Sequence, residues 1–397
     1  MTLRDILLSL RHAVKLRIDP TLWPRSTGVD AAGRLTVSGV ALPAIADEVG
    51  TPAHVLDEAD FRYRARRYRK EMPGTKVVYA GKALLTTAVA RWAVDEHLGV
   101  DVCSTGELAT ALTGGVDPSR IVFHGDDVEA AVTAGVGLVV VNVATELDYL
   151  ARHPQKVLVS AEQPGLLQRV LREPWLRPMG LHFHIGTQIT DAAVYGQMVR
   201  RMIRVMADAR KTHGVILGEL NLGGGHAVPY VSGDRALDLR TLSLTIDDAL
   251  DEACATERFP RPTVVVEPGR GLIARAGVTL YRVASTKGTL VTVDGSAPYG
   301  TRCTAALANR HVLGPSQPTT IVGSNGVEIV GDADLPCDVH PGDLIAVAGS
   351  GAYNHGIATS PSVSLRHGRL KALSDPDLDR RSTARHSAAG FRPNFRR

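Results

Sequence analysis

Short apolar segments alternate with amphipathic segments along most of the chain. The apolar segments are rich in Val, Ile and Leu, and the segments between them repeat apolar positions at helical spacing. This alternation predicts eight buried strands, at Val77–Tyr79, Gly99–Val102, Ile121–Phe123, Gly137–Val141, Lys156–Val159, Gly180–His182, Glu219–Asn221 and Thr263–Val266. Strands interleaved with helices are typical of a parallel sheet, so the pattern predicts the α/β class and a (β/α)8 TIM-type barrel. A doubly wound open sheet is the alternative, but polar motifs follow nearly every strand, as a ring of loops on a barrel requires.

The pattern changes after about residue 277. The later segments are short, β-rich and separated by Gly, Pro and Asp, which predicts a smaller all-β, Greek-key-like domain built from both chain ends. A helix at Asp57–Glu71 is expected to carry a long arginine-rich outer face. We therefore divide the chain into residues 1–44 (a helix at Leu3–Leu16 and strands of the β-domain), 45–277 (the barrel), 278–373 (the β-domain) and 374–397 (an Arg-rich mobile tail).

Composition narrows the classes of partner. Apolar residues make up 44% of the chain and charged residues 22%, as in ordinary globular proteins. The formal charge of +4 comes partly from the C-terminal arginines, and no basic stripe indicates a nucleic-acid partner. No apolar run has the length of a membrane span, and the chain begins without a signal-peptide core. The four cysteines lack metal-ligand spacing, so we expect reduced thiols in a cytoplasmic protein.

The first barrel strand is followed by a lysine, Lys82. A lysine at the end of an apolar strand lies at the mouth of a site, where desolvation would lower its pKa and leave an amine able to form a Schiff base. A solvated loop lysine fits the same position. The other strand ends therefore decide between these interpretations.

Three further motifs follow strands. His182 and His184 occupy alternate positions, so both side chains point to one side. They could bind a metal, but no carboxylate or thiol lies nearby to complete such a site. An imidazole stacked over an aromatic cofactor fits better. The Gly223–Gly225 run could hold an anion on backbone N–H groups or could form a tight turn. Glu267 and Arg270 end another strand, and alone they would favour a structural salt bridge.

Together these residues match what pyridoxal 5'-phosphate requires. A lysine carries the aldehyde, glycines hold the phosphate, and a carboxylate keeps the pyridine nitrogen protonated so that the ring accepts electrons. The chain resembles the barrel-fold (fold-type III) pyridoxal phosphate decarboxylases, the diaminopimelate and ornithine decarboxylase family, and is most similar to the diaminopimelate branch. The resemblance runs from about residue 25 to about residue 370. Its motifs are Tyr79–Ala83, Asp101–Leu108, His182–Gln188, Asn221–Gly225, Glu267–Arg270, Asp294–Ser296 and Gly351–Tyr353.

The resemblance implies a role for each matching residue. Lys82, His184 and Glu267 are the implied catalytic residues: Lys82 holds the cofactor covalently, His184 stacks on the ring and Glu267 pairs with its nitrogen. Asp101 is implied near the lysine end of the ring. The implied phosphate end comprises Thr187, Gly223, Gly224, Gly225, Gly269, Arg270 and Tyr353. Substrate contacts are implied for Arg270, Tyr299 and Tyr353, and a homodimer with the site at the subunit interface is implied as well.

The substrate half of the family pattern is altered. The diaminopimelate enzymes carry a cysteine–glutamate motif whose cysteine, from the partner subunit, donates a proton; the matching interval Ser324–Asp332 has no cysteine, and Cys337 lies beyond it. The arginine that grips the distal carboxylate is also absent, and Tyr299 alone remains of its motif. We therefore predict an amino-acid decarboxylase with an altered pocket, in specialised metabolism, whose proton donor is Lys82, His355, Tyr353 or water. A racemase or epimerase, other pyridoxal phosphate chemistry, or a non-catalytic homologue remains the alternative.

Overall fold

The structure is a computed structural model that describes residues 18–150, 152–163, 165–295, 303–312, 314–353 and 360–373. The predicted N-terminal helix and the C-terminal tail lie outside these residues, as do Tyr299 and His355.

Strands and helices alternate through the first two thirds of the described chain, and strands dominate the rest. The strands are β1 (Gly28–Val29), β2 (Leu35–Val37), β3 (Val40–Ala41), β4 (Ala53–Asp57), β5 (Lys76–Ala80), β6 (Gly99–Val102), β7 (Ile121–Phe123), β8 (Leu138–Val141), β9 (Gln155–Ser160), β10 (Leu176–His182), β11 (Glu219–Asn221), β12 (Thr263–Val266), β13 (Gly277–Lys287), β14 (Leu290–Val293), β15 (Ala305–Leu307), β16 (Ser316–Val322), β17 (Glu328–Pro336), β18 (Leu344–Ala348), β19 (Ser362–Arg366) and β20 (Arg369–Ala372). The α-helices are α1 (Leu42–Val49), α2 (Glu58–Glu71), α3 (Thr87–Asp95), α4 (Thr105–Thr113), α5 (Val128–Thr133), α6 (Leu147–Leu150), α7 (Leu166–Val170), α8 (Ala193–His213), α9 (Leu239–Glu257) and α10 (Arg270–Ile273).

The eight strands β5 to β12 close into a parallel barrel, which confirms the predicted fold class. The last strand returns to the first, with Val265 opposite Lys76 and Val266 opposite Val77. Successive side chains of a strand point to opposite faces, so each strand packs one set of residues on the helices and the other inside the barrel. The interior set forms a cluster of its own, made of Val78, Val122, Val140, Leu158 and Val265.

The second domain is a mixed sheet around the long strand β13. The sheet order is β17-β16-β14-β13-β4-β19-β20, and β18 pairs with both β13 and β15. Strand β4, which precedes the barrel strands in sequence, pairs antiparallel with β13 and parallel with β19. Strands β1 to β3 form a separate small sheet, and Trp23 and Leu35 pack in the core shared with Val278 and Leu280. The domain limits at residues 44 and 277 stay a prediction.

Helix α2 differs from its expected exposed arginine face. Asp57 caps its first turn by accepting hydrogen bonds from the N–H groups of Ala59 and Asp60. Arg62 and Arg64 are buried rather than solvated. Arg62 pairs with Glu58 at 2.7 Å and with Glu96 at 3.3 Å, while Arg64 pairs with Asp60 at 2.6 Å. The pairs with Glu58 and Asp60 lie within α2, and the pair with Glu96 joins α2 to the end of α3; a buried guanidinium needs such carboxylate partners.

None of the described helices is both long enough and apolar enough to span a membrane.

Candidate active site

The site residues continue the inward-facing alternation of the barrel strands. Inside the barrel, Val122 is followed two positions later by His124, Val140 by Asn142, and Val265 by Glu267. The same step leads from Leu158 to Ser160 and from His182 to His184. The inward-facing residues of these strands are therefore apolar inside the barrel and polar at the carboxyl ends. In barrels of this kind the βα loops at these ends form the active site.

These polar groups surround a cavity of about 430 Å³. The sequence-predicted residues that line it are Lys82, Asp101, His184, Thr187, Gly224, Gly225, Glu267, Gly269, Arg270 and Tyr353. Gly223 belongs to the same loop but lies beneath the lining. Tyr299, also predicted, lies outside the described residues. The structure thus brings the predicted cofactor residues together on one cavity.

Lys82 projects into this cavity from the turn Gly81–Ala83, directly after β5. Burial is the largest single influence and favours the neutral amine, but Asp101 and further acidic neighbours, among them Glu267, together outweigh it and raise the pKa of Lys82 above its ordinary value. The expectation that desolvation lowers this pKa is therefore wrong. Until it reacts, the lysine is a cation held among acidic neighbours.

Glu267 is the centre of a buried hydrogen-bonding group. Its Oε1 accepts a hydrogen bond of 2.7 Å from Asn221 Nδ2 and lies 3.4 Å from His124 Nε2, while its Oε2 lies 3.4 Å from His182 Nε2. Although burial opposes ionisation, the two histidines hold the pKa of Glu267 well below its usual range. The carboxylate therefore stays charged in a place that water barely reaches.

The two motif histidines have different surroundings. His182 is buried beside Glu267, whereas His184 is exposed to the cavity. Burial lowers the pKa of both, with the Lys82 charge adding to the effect on His184, so both rings are neutral near pH 7. Glu267 is distant from these histidines in sequence but lies beside His182 in the fold, so the expectation that no carboxylate completes a site is wrong for His182: the possible metal-binding atoms of His124, His182 and Glu267 lie within 4.8 Å of one another. The fold brings them from three separate strands.

Asp101 has one oxygen without a partner. Its Oδ1 is buried and accepts no hydrogen bond from the described residues, although His124 Nε2 lies 3.6 Å away. Burial raises the pKa of Asp101 to about 7, and the charge of Glu267 acts in the same direction. The opposite holds for His124: burial would lower its pKa, but the Asp101 and Glu267 carboxylates raise it to about 8.

The glycine loop after β11 passes close to other backbone. A Cβ on Gly224 would lie 2.3 Å from the Glu267 carbonyl oxygen, and one on Gly225 would lie 2.2 Å from that of Gly186. Asn221 joins the loop to the carboxylate, because its Oδ1 accepts a hydrogen bond from Gly223 N–H while its Nδ2 donates to Glu267. Only glycine allows this approach to the neighbouring backbone, and the loop thereby places the backbone of Gly224 and Gly225 on the cavity wall.

Arg270 faces the cavity and does not pair with Glu267 in the way the short sequence motif suggested. Its Nη1 donates a hydrogen bond of 2.6 Å to the Tyr230 hydroxyl, and its guanidinium lies 4.7 Å from the centre of the Tyr353 ring. Tyr353 is positioned by its own backbone N–H, which donates to the Ala83 carbonyl at 2.7 Å. At the predicted phosphate end, the guanidinium of Arg270 therefore contacts two tyrosines, Tyr230 and Tyr353.

Sequence reasoning missed several lining residues, among them His124, Asn142, Ser160 and His226. For the first three the signal was present: each follows an inward-facing apolar residue by two positions. His226 follows the triple glycine, and its Nδ1 lies 2.8 Å from the Tyr68 hydroxyl while its Nε2 is buried without a partner among the described residues.

The residues present fit pyridoxal phosphate. The glycine loop leaves no room for a Cβ, the Asp101 oxygen is buried without a partner, and the donor set pairs a lysine amine with a dry, ionised carboxylate. These features match a ligand with an anionic group beside an aldehyde and, across the ring from the aldehyde, a ring nitrogen.

Comparisons with known proteins agree with this site. The family model described as "Pyridoxal-dependent decarboxylase, pyridoxal binding domain" matches residues 58–163 and 158–274. A diaminopimelate decarboxylase of Actinosynnema pretiosum subsp. auranticum is 38% identical, with 96% of this chain and 100% of the relative covered. A diaminopimelate decarboxylase of Mycobacterium tuberculosis is 33% identical, over 87% of this chain and 91% of the relative.

Solved structures share the fold. The diaminopimelate decarboxylase from M. jannaschii in co-complex with L-lysine superposes with a TM-score of 0.80 at 21% identity, covering 89% of this chain and 96% of that one. The lysine/ornithine decarboxylase from Vibrio vulnificus complexed with putrescine gives 0.72 at 22% identity, covering 82% and 97%. The chain therefore belongs to the family of pyridoxal-dependent decarboxylases, carboxy-lyases whose cofactor is pyridoxal phosphate.

Proposed function

We propose that this chain removes the α-carboxylate of an amino acid as CO2, and that meso-diaminopimelate is not its preferred substrate. The observation that carries the reaction is the cavity itself: Lys82, Glu267 and the glycine loop all face it. Racemisation would use the same cofactor residues, so the reaction is best identified by its product.

Three residues of the cavity have distinct proposed roles toward the cofactor. Lys82 would hold the cofactor aldehyde covalently, and its Nζ would move a proton during turnover. Pyridoxal phosphate, when bound, draws electrons away from the bond that breaks. Glu267, ionised between His124 and His182, would pair with the ring nitrogen and keep it protonated. His184, on the same cavity, would stack on the ring.

Backbone N–H groups and one side chain would bind the phosphate of the cofactor. N–H groups of Gly224 and Gly225 and the guanidinium of Arg270 bind the phosphate, and Thr187 lies on the same cavity. Backbone donors and a planar guanidinium suit a phosphate because they need little rearrangement when it binds. Tyr353 stacks on Arg270 and keeps its planar group facing the cavity.

The proposed substrate preference rests on a group that the described cavity residues lack, a second arginine. Relatives named diaminopimelate decarboxylase make meso-diaminopimelate the first candidate. Yet Arg270 is the one arginine that the described residues place on the cavity, and Tyr230 and Tyr353 already contact it. The interval where the family cysteine is expected begins as a tight turn, closed by a 2.8 Å hydrogen bond from Gly323 N–H to the Val327 carbonyl, and continues into β17. Among the described lining residues, a second carboxylate therefore has no further arginine as a bidentate partner.

The proposal includes a homodimer in the cytoplasm, acting in specialised metabolism. Tyr353 is the one described residue beyond position 277 on the cavity, so the barrel provides nearly all of the lining. A partner subunit that completes the open side, as in the family, would supply the contacts for the far end of the substrate.

Reduction with borohydride tests the assignment of Lys82. The wild-type protein should keep its cofactor on the peptide that contains Lys82 and release CO2 from at least one member of a panel of L- and D-amino acids. Lys82→Ala should do neither. The control is Lys76→Arg, at the other end of β5, where the lysine pairs with Glu219 at 2.8 Å; it should behave like the wild type. A reduced adduct in Lys82→Ala, or loss of substrate chirality without CO2, would contradict the proposal.

A further inference from the structure

A second, smaller cavity lies behind the active site, between helix α2, helix α9 and the turn after α10. It measures about 140 Å³ and carries three arginines, Arg64, Arg67 and Arg275. Tyr68, Asp238 and Gly271 complete its polar and backbone lining. None of these three arginines lines the cofactor cavity, so this second cavity needs its own explanation.

Positive charge exceeds negative charge around this cavity. Arg64 has a carboxylate partner, since its Nε and Nη2 donate to Asp60 at 2.6 and 3.1 Å. Neither Arg67 nor Arg275 forms an ion pair with a described residue. Asp238 is the one carboxylate that the described residues place on the lining, and it also caps α9 by accepting from Thr241 N–H. Among the described lining residues, the guanidiniums of Arg67 and Arg275 therefore have one carboxylate, Asp238, to balance two positive charges.

Arg275 shows the imbalance most directly. Its Nη1 donates to the Thr21 carbonyl at 3.1 Å, but its Nε is buried and has no hydrogen-bond partner among the described residues. Burial, together with the charge of Arg64, lowers the pKa of Arg275 to about 10. A buried donor on a charged group is costly when nothing accepts from it, so such groups are normally satisfied by a partner.

We propose that this cavity is a binding site for a small anion that carries a phosphate or carboxylate group. Guanidinium groups favour these two ligands because their donor fork matches two oxygens at once. The volume is below the range of about 300–1,000 Å³ typical of drug-sized ligands, which suits a small anion. An anion there would balance the charges of Arg67 and Arg275, which both line the cavity.

The site is separate from the cofactor cavity but shares a wall with it. Gly271 lines both cavities. Tyr68, on the arginine side, lies 2.8 Å through its hydroxyl from Nδ1 of His226, which lines the catalytic side. Because the catalytic cavity also attracts phosphate, binding to the arginine cavity has to be measured with the cofactor already in place.

Isothermal titration of the cofactor-loaded enzyme with inorganic phosphate tests the site. At constant ionic strength we expect saturable binding of one phosphate per chain, with no loss of cofactor absorbance. Arg67→Gln and Arg275→Lys should each weaken binding by about tenfold or more, as expected for a charge-assisted hydrogen bond. Arg240→Gln is the charge-matched control, because Arg240 is exposed and does not line the cavity; it should bind as the wild type does.

A second titration with succinate separates the two ligand classes. Tighter binding of succinate than of phosphate would assign the site to carboxylates, and the reverse would assign it to phosphates. Absence of saturable binding for both anions, or equal affinity in the wild type and Arg67→Gln, would overturn the proposal. Arg67 is half-buried and forms no ion pair among the described residues, so Arg67→Gln keeps the test valid if Arg275→Lys fails to fold.

Discussion

At the scale of single residues, the decisive feature is a carboxylate kept ionised without water. Glu267 is 5% exposed, yet three donors from three other strands surround it: Asn221, His124 and His182. An ionised carboxylate in such a place can hold a proton on a ring nitrogen more strongly than one in water, because the surroundings screen the interaction less.

Glu267→Gln should separate cofactor binding from turnover. The amide keeps the shape of the side chain but cannot hold the ring nitrogen protonated, so kcat should fall about a hundredfold or more while cofactor absorbance is retained. Steady-state kinetics on the loaded variant make the measurement. Glu219→Gln, a carboxylate at the opposite end of the barrel, should keep near-normal turnover. Near-normal kcat in Glu267→Gln would mean that the carboxylate does not support the reaction.

The shifted pKa of His124 predicts a pH-dependent stability. Burial opposes its protonation, but Asp101 and Glu267 raise its pKa from 6.5 to about 8. A group whose pKa is higher in the folded state stabilises the fold below its unfolded pKa and loses that contribution as the pH rises through its folded pKa. The cofactor-free wild type should therefore lose about 2 kcal/mol of this contribution between about pH 6.5 and pH 8.

The control for that measurement is His124→Gln, whose urea unfolding should show a smaller loss over the same interval. The raised pKa of Asp101 also makes the free energy of unfolding fall as the pH rises, but mostly below pH 7. The change above pH 7 is therefore assigned to His124. Equal pH slopes in the two proteins would show that His124 does not titrate as described.

At the scale of elements, much of the site could be predicted because it follows strand ends. The eight barrel strands were found from apolar runs, and Lys82, Glu267 and the glycine loop from the residues that follow them. The alternation of inward-facing and outward-facing residues was not continued beyond the ends of the predicted strands. From Val122 and Val140 it leads directly to His124 and Asn142, which the sequence analysis overlooked.

Other features depend on contacts between distant segments and leave no local signal. Arg62 and Arg64 belong to a charged helix face in sequence, and only the pairing with Glu96 and Asp60 shows that they are buried. The strand β17 was not predicted, because its polar residues alternate without a clear apolar run. Likewise, the group His124, His182 and Glu267 exists only because barrel closure brings three strand ends together.

Gly224→Ala should damage the glycine loop. Its new Cβ would lie 2.3 Å from the Glu267 carbonyl, so the loop must shift away from the cavity. We expect the free energy of unfolding to fall by about 1–3 kcal/mol, as for overpacked sites, and the affinity for the cofactor to weaken. Thermal unfolding and cofactor titration make the measurement. The control is Gly218→Ala, before the same strand, where a Cβ meets nothing within 4 Å. Equal effects of the two substitutions would contradict a close approach at Gly224.

At the scale of the whole molecule, the described lining of the cofactor cavity comes almost entirely from the barrel, and we propose that the second domain contributes to binding the far end of the substrate. The barrel provides Lys82, Glu267 and the glycine loop, and every sequence motif for these residues is intact. The motifs for the far end of the substrate belong to the second domain, and these are the ones that depart from the family pattern. A chain can keep its cofactor chemistry while its substrate changes, because separate segments encode the two.

This separation predicts poor activity on meso-diaminopimelate. That substrate carries a second ammonium and carboxylate, and a desolvated carboxylate without a partner costs several kcal/mol, each 1.4 kcal/mol being about tenfold in specificity. Steady-state kinetics should give a kcat/KM for meso-diaminopimelate at least about a hundredfold below that for the best amino acid with a single carboxylate. The diaminopimelate decarboxylase of Actinosynnema pretiosum, assayed in parallel, is the control for substrate quality. If meso-diaminopimelate were instead the best substrate, its distal carboxylate would have to be held from outside the described residues, with Arg302 the first arginine to replace.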